Sequence, residues 1–499
     1  MICRKMFFRR GVRTIITTLS IVLLVRGAVL LGQKSQVQPV KVDGRYESES
    51  GNITMALSGD TLVDRPFAQF REERFLKLRD LFLNADVGFT NGETLFHNYE
   101  NTPTSLTGVW ERASPGVIKD LQWMGINLLS SANNHAYDFG EDGILTNIRY
   151  LDAAGMAHAG TGSDYADAVA PAYLETAKGR VALVAATTSG SVGSRAGEQN
   201  RYMKGRPGVN FIRWLNEWTV DQEAFDAMKR IAQQYKWEQG DDPVRAYAID
   251  KSKAAITINF SDRNLGMPPT DKAKQFLDDP PARFVLGSTP EQHTYLHLAD
   301  LQRNVKSVSD AHRMGDWVIY SVHNHEFDRT NDEPSDHVVA LAHAVIDAGA
   351  DVFVGHGPNI TRGIEIYKGR PIFYSLGNLF REETVSLAPE EAMPFYGLGF
   401  ENSVGDYSDA REATDDPAAR RRGMLAVVAV TKFEDKKLRR IELYPVDMGF
   451  GLPRSQYGRP VLALGAVARE ILERIQRLSA PFHTDVQIKG DVGVIELQQ

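Results

Sequence analysis

Short runs of consecutive apolar residues alternate with stretches in which apolar residues recur every three or four positions. The runs predict buried strands and the periodic stretches predict amphipathic helices. Ile53–Leu57, Ala85–Phe89, Ile126–Ser130, Val181–Ala186, Trp317–Val322 and Val352–Val354 read as strands. Phe67–Phe82, Val117–Met124, Glu141–Ala154 and His337–Ala348 read as helices between them, with Gly155 placed to stop the third. Strand and helix in alternation predict an α/β fold with a parallel sheet. Ile364–Leu376 reads as a hairpin turning at Lys368-Gly369, and Met424–Phe433 with Leu438–Val446 as a closing hairpin. Ala463–Leu478 reads as an amphipathic carboxyl-terminal helix. The rhythm fails between about 190 and 300, which reads as an insertion with a helix at Asp221–Gln239 and a strand at Ala254–Phe260. Residues 382–422, acidic and then basic, read as a long loop.

Polar clusters fall at the ends of the predicted strands: Asp60, Asn91 with Glu93, Asn133-Asn134-His135 with Asp138, His323 to Glu326, and His356 to Asn359. Ligands of parallel sheets bind at strand carboxyl ends, which lifts these clusters above chance. Each also has a plain reading. Gly59-Asp60 suits a turn, and Asn134 suits a helix cap. A strand reading brings only one of His323 and His325 to the site, unless the strand has ended before the second. His356 lies between Gly355 and Gly357, which permit a close backbone approach that a core histidine does not need. Carboxylate, amide and imidazole donors together suit Zn, Mn, Fe or Mg.

Composition narrows the chemistry. The only cysteine, Cys3, precedes the folded part, so a thiolate metal site and a disulfide are excluded there. A formal net charge of -7 gives no nucleic-acid footprint. Arg4, Lys5, Arg9, Arg10 and Arg13 precede the apolar run Ile15–Val25. That order predicts a signal peptide or a membrane anchor over residues 1–33, followed by a linker over 34–50. The protein is expected to be extracytoplasmic: periplasmic, or held on the outer side of the cytoplasmic membrane by that segment alone. One main domain is expected over 51–450, with a carboxyl-terminal helix and tail over 451–499.

The longer blocks resemble a known family. Ser131-Ala-Asn-Asn-His-Ala-Tyr-Asp-Phe-Gly-Glu-Asp-Gly143 and Ala350-Asp-Val-Phe-Val-Gly-His-Gly-Pro358 are similar to blocks of the poly-γ-glutamate capsule-synthesis (CapA-type) family. Ile364 to Asn378 follows as in that family, and Leu57-Ser-Gly-Asp60 and Asn91-Gly-Glu93 match its opening blocks. The family is similar to the calcineurin-like metallophosphatases. That likeness implies a four-layer α-β-β-α sandwich of two mixed sheets flanked by helices. It makes Asp60, Glu93, Asn134, His323 and His356 candidate ligands for one or two divalent transition-metal ions, Mn, Fe or Zn. His135 becomes the candidate acid that protonates a leaving group, oriented by Asp138. The wider superfamily opens with Asp-x-His, whereas Asp60-Thr61-Leu62 has no histidine. Its closing motif ends in a second histidine, where this chain has Asn359, and His325 is the candidate that compensates.

The resemblance implies a metal-dependent hydrolase acting on an extracytoplasmic anionic polymer. Two alternatives are a phosphoesterase and a non-catalytic, metal-binding component of the capsule-polymer synthesis or export machinery. Arg329 and Arg362 are near the candidate ligands but form no phosphate-clamping run.

Overall fold

The computed structural model describes residues 51–499 except 105–108, 191, 236–245, 248, 250–253, 259–281, 383–391, 400 and 498–499. The amino-terminal signal or anchor and the linker lie outside the described residues, as does the end of the helix expected to reach Gln239.

Two mixed sheets carry the fold. In the larger, the first strand, Ile53–Leu62, lies between Val87–Asn91 and Leu425–Glu434. Leu128–Ser130 and Ala157–Ala159 extend it on one side, all parallel. Lys437–Asp447, Val492–Glu496 and Gln487–Lys489 extend it on the other, all antiparallel. The short strand Asn378–Arg381 also pairs with Ile53–Leu62. The second sheet runs Ile364–Tyr367, Arg370–Phe373, Val352–His356, Trp317–His323, Gly179–Thr187 and Ala172–Thr176. Its four middle strands are parallel.

One apolar core is shared by the two sheets, through residues such as Met55, Leu57 and Phe89 from one and Leu183, Ile319 and Val354 from the other. A second core packs helices Glu73–Leu83 and Gly116–Met124 against the larger sheet. A third packs Leu298–Met314 and Asp336–Asp347 against the second sheet. Both hairpins turn on residues with positive φ: Lys368 and Gly369 in one, Asp435 and Lys436 in the other.

Several expectations change. The first strand does not end in a turn at Ser58-Gly59-Asp60 but runs on to Leu62, with its register shifting on both sides of Asp60. Asn378–Arg381 supplies the partner that carries it forward. The helix expected from Phe67 begins at Glu73, because the amides of Phe67 and Ala68 are held by the Asp120 carboxylate instead. Residues 382–422 are not one long loop. Helices Val404–Thr414 and Pro417–Arg422 lie there, the first capped by a reciprocal Ser403–Asp406 pair and the second by Asp416 before Pro417. The tail after the last helix, Gly465–Ser479, carries the two outer strands of the larger sheet. Within the insertion, Trp214–Val220, Ala255–Ile258, Ala282–Leu286 and Glu291–Leu296 form a separate four-stranded sheet. Among the described residues, no helix is long and apolar enough to cross a membrane.

Candidate metal centre

The strand register brings the polar residues together. His323 ends its strand directly beside His356, the last residue of the neighbouring strand. Asp60 pairs with Asn91 on one side and Asn378 on the other. The backbone amide of Gly357 donates to Asp60 Oδ2 at 2.8 Å, tying the strand ends of the two sheets to each other. Gly357 has φ +114°, and a Cβ there would lie 2.6 Å from the Asn324 carbonyl, so only glycine fits.

Two groups of donors converge. In the first, Asp60 Oδ1 lies 3.2 Å from His356 Nδ1 and 3.5 Å from His323 Nδ1, and the two histidine nitrogens are 3.1 Å apart. In the second, His323 Nε2 lies 3.0 Å from His325 Nε2 and 3.6 Å from Glu93 Oε1. Each group could hold a metal ion, with its ligand atoms within 4.8 Å of one another. All are buried except His325, which is half-buried. Both histidines therefore reach the site, by the alternative left open above, since the strand has ended at His323; on a continuing strand, too, positions two apart would share a face rather than oppose each other.

The polar atoms fit a cation. Imidazole nitrogens facing each other cannot both carry a proton, whereas lone pairs aimed at one point suit a metal. Glu93 Oε2 is buried with no hydrogen-bond partner, a costly state that a bound ion would relieve, and Asn134 Oδ1 is likewise buried without one. Ser321 Oγ lies 2.7 Å from His356 Nε2. With Ser321 accepting from Nε2–H, the Nδ1 lone pair faces Asp60 and His323. The two groups share His323 through opposite ring nitrogens. A neutral imidazole has one lone pair, so His323 serves one ion, and the other position rests on its remaining donors.

The charges follow from burial and from neighbours. Burial would raise the Asp60 carboxyl, but the His323 and His356 rings beside it hold it well below the usual range. Burial pushes Glu93 well above its usual range, and the charges of Asp60 and Glu111 add to that push. Burial lowers His323, and it lowers His325, beside His323, to about 3. Burial thus favours the neutral forms of Glu93, His323 and His325, and a bound cation would favour their unprotonated forms as ligands.

The other expected residues are placed as follows. Asn134 opens a short 3₁₀ turn, Asn134–Tyr137, and Asn133, just before it, donates to Asn91 Oδ1 and the Gly92 carbonyl. His135 Nδ1 lies 2.8 Å from Asp138 Oδ2, and its Nε2 lies 3.9 Å from Glu93 Oε1. Asp138 also accepts from the Glu111 amide. Burial raises the Asp138 carboxyl, against the pull of His135. Asn359 has φ +58°, a left-handed turn conformation that asparagine tolerates, which accounts for the residue type without a metal role. Arg329 is exposed and paired with Glu333, and Arg362 is fully buried. Ser321 and Asn378 were not singled out from the sequence. Ser321 could have been found, since it lies two positions before His323 on the same strand face.

The fold and the site define a mixed α/β protein with a buried histidine–carboxylate centre at the meeting strand ends of two sheets. Residues 54–383 match the family described as bacterial capsule synthesis protein PGA_cap, and the chain belongs to that family. It is 35% identical over 475 residues to the uncharacterized protein y4sH of Sinorhizobium fredii, covering 91% of this chain and 97% of that one. It is 21% identical over 400 residues to the capsule biosynthesis protein CapA of Bacillus anthracis, covering 78% and 72%. The PGA biosynthesis protein CapA of Bacillus subtilis is 36% identical over 124 residues, 24% of this chain and 32% of the relative.

Proposed function

We propose that the chain is a divalent-metal-dependent hydrolase acting on an extracytoplasmic anionic polymer in capsule synthesis. The observation that carries this reading is the convergence of Asp60, Glu93, His323, His325 and His356, with Glu93 Oε2 buried and unpartnered. Asp60, His323 and His356 would hold the first ion, and Glu93 with His325 would contribute to a second position. A bound ion of this kind polarises an ester or amide and supplies hydroxide at neutral pH. His135, held by Asp138, is the acid that protonates the leaving group. The stack of helices, two sheets and helices is read as the four-layer sandwich that this chemistry commonly uses.

Metal analysis of the purified protein beside an ester and amide hydrolysis panel tests the reading. A transition metal should copurify, and His356→Ala should lose most of it. A wild-type protein that holds no metal and resists reconstitution sinks the proposal. A second reading is a non-catalytic component that binds metal and turns nothing over. Both named capsule relatives are named for biosynthesis rather than for cleavage, which favours it. Metal content without turnover across the panel would decide for it.

We also propose export directed by residues 1–33, from the basic residues before Ile15–Val25. A reporter fused after residue 40 should be active only outside the cytoplasm. Activity inside would remove the proposal.

A further inference from the structure

Past His323 the backbone leaves the strand ladder, and residues 324–326 have no regular secondary structure. Something else must hold His325, whose Nε2 lies 3.0 Å from His323 Nε2. The Arg362 side chain is fully buried against this segment. Its Nη1 donates to Asn324 Oδ1 at 2.8 Å, and its Nη2 donates to the Glu326 carbonyl at 2.8 Å. Those are the residues on either side of His325. Its Nε donates to the Asn331 carbonyl at 2.9 Å, and Nη2 also reaches Asn331 Oδ1 at 3.1 Å. The planar fork thus closes a loop of eight residues, 324–331, onto itself. Asn324 passes the grip on, since its Nδ2 donates to the His356 carbonyl at 3.2 Å. On the opposite side Ser189 Oγ accepts from the His325 amide at 2.6 Å and donates to Glu326 Oε1 at 2.8 Å.

We infer that Arg362 is a positioning residue: its fork holds Asn324 and Glu326 so that the His325 imidazole is kept in the metal centre. This rests on reading the cluster as a metal centre. A lysine keeps the charge and most of the stem but cannot make four directed hydrogen bonds to three residues. The alternative is that Arg362 only fills its buried site, in which case its loss weakens the fold without acting through His325.

The test is a double-mutant cycle on the full chain, with cobalt(II) as the probe, read by its visible absorption and its affinity. His325→Ala and Arg362→Lys should each weaken cobalt binding about 10- to 100-fold, the range expected when groups that hold a ligand are lost. The double variant should bind within about twofold of the weaker single variant, since both changes remove one contribution. Arg362→Lys binding cobalt as wild type does, or losses that multiply in the double variant, would overturn the inference. Amide hydrogen exchange on the metal-free protein separates this outcome from failure of the metal reading. If wild type binds no cobalt, the metal reading falls, and the His325 and Asp328 amides decide the clamp. Exchange at those amides should quicken at least about 10-fold in Arg362→Lys while the strand Trp317–His323 keeps its protection. Unchanged exchange there, or an equal loss throughout the second sheet, would overturn the clamp.

Discussion

His135 and Asp138 lie three positions apart, and their 2.8 Å contact fixes one ring nitrogen and leaves the other directed toward Glu93. An acid held this way should matter for turnover and not for metal content. His135→Ala is therefore expected to lower hydrolysis by about 10² to 10⁴ while metal content stays near wild type. Metal analysis and rate are measured on the same sample, and loss of both together would make His135 a ligand. Much of the centre was legible at this scale, because histidine, asparagine and carboxylate clusters at strand ends have few structural reasons to recur. Asp60 was legible as a residue but not in its setting. Nothing local to Ser58-Gly59-Asp60 shows that a strand more than 300 residues later will pair there and carry the first strand through. Asn359 marks the limit in the other direction, since its turn conformation explains the asparagine as well as a metal does.

Among the elements, helices bounded by clear breakers were the most legible. The helix Gly116–Met124 stops at Gly125 with φ +98°, and Gly140–Ala154 stops at Gly155 with φ +68°. Helices Val404–Thr414 and Pro417–Arg422 were missed because their apolar periodicity is weak, although their caps were written in Ser403, Asp406, Asp416 and Pro417. Capping chemistry would have identified those helices where hydrophobic pattern did not. Gly59 is the element-scale feature with the sharpest consequence. A Cβ there would lie 1.9 Å from the Gly377 carbonyl oxygen, which is backbone and cannot swing aside. Gly59→Ala should destabilise the protein by about 3 kcal/mol or more, measured by denaturant unfolding. A loss under about 0.5 kcal/mol would show that the shifted register gives way.

Across the whole molecule, the centre draws donors from both sheets. Asp60 lies within one strand of the larger sheet and Glu93 just after another, and His323 and His356 end strands of the second. An ion bound there links the two sheets, and it binds the native state alone, because the unfolded chain does not gather these donors. Stability should therefore rise with free cation, by about 2.7 kcal/mol at a hundred times the dissociation constant. Unfolding followed by circular dichroism with added metal and with chelator checks this. A midpoint that does not move with cation concentration would mean that no ion binds the native state in preference to the unfolded chain.

The place of the first strand has a further consequence, for the order of events during synthesis. Ile53–Leu62 lies between a strand made soon after it and Leu425–Glu434, which is made more than 300 residues later. One edge of the Asp60 strand therefore stays open until that distant strand has been made. Pairings this distant in sequence form slowly, and an open apolar strand edge invites association with other chains. The larger sheet thus cannot be completed until the hairpin Leu425–Asp447 has emerged to pair with its first strand.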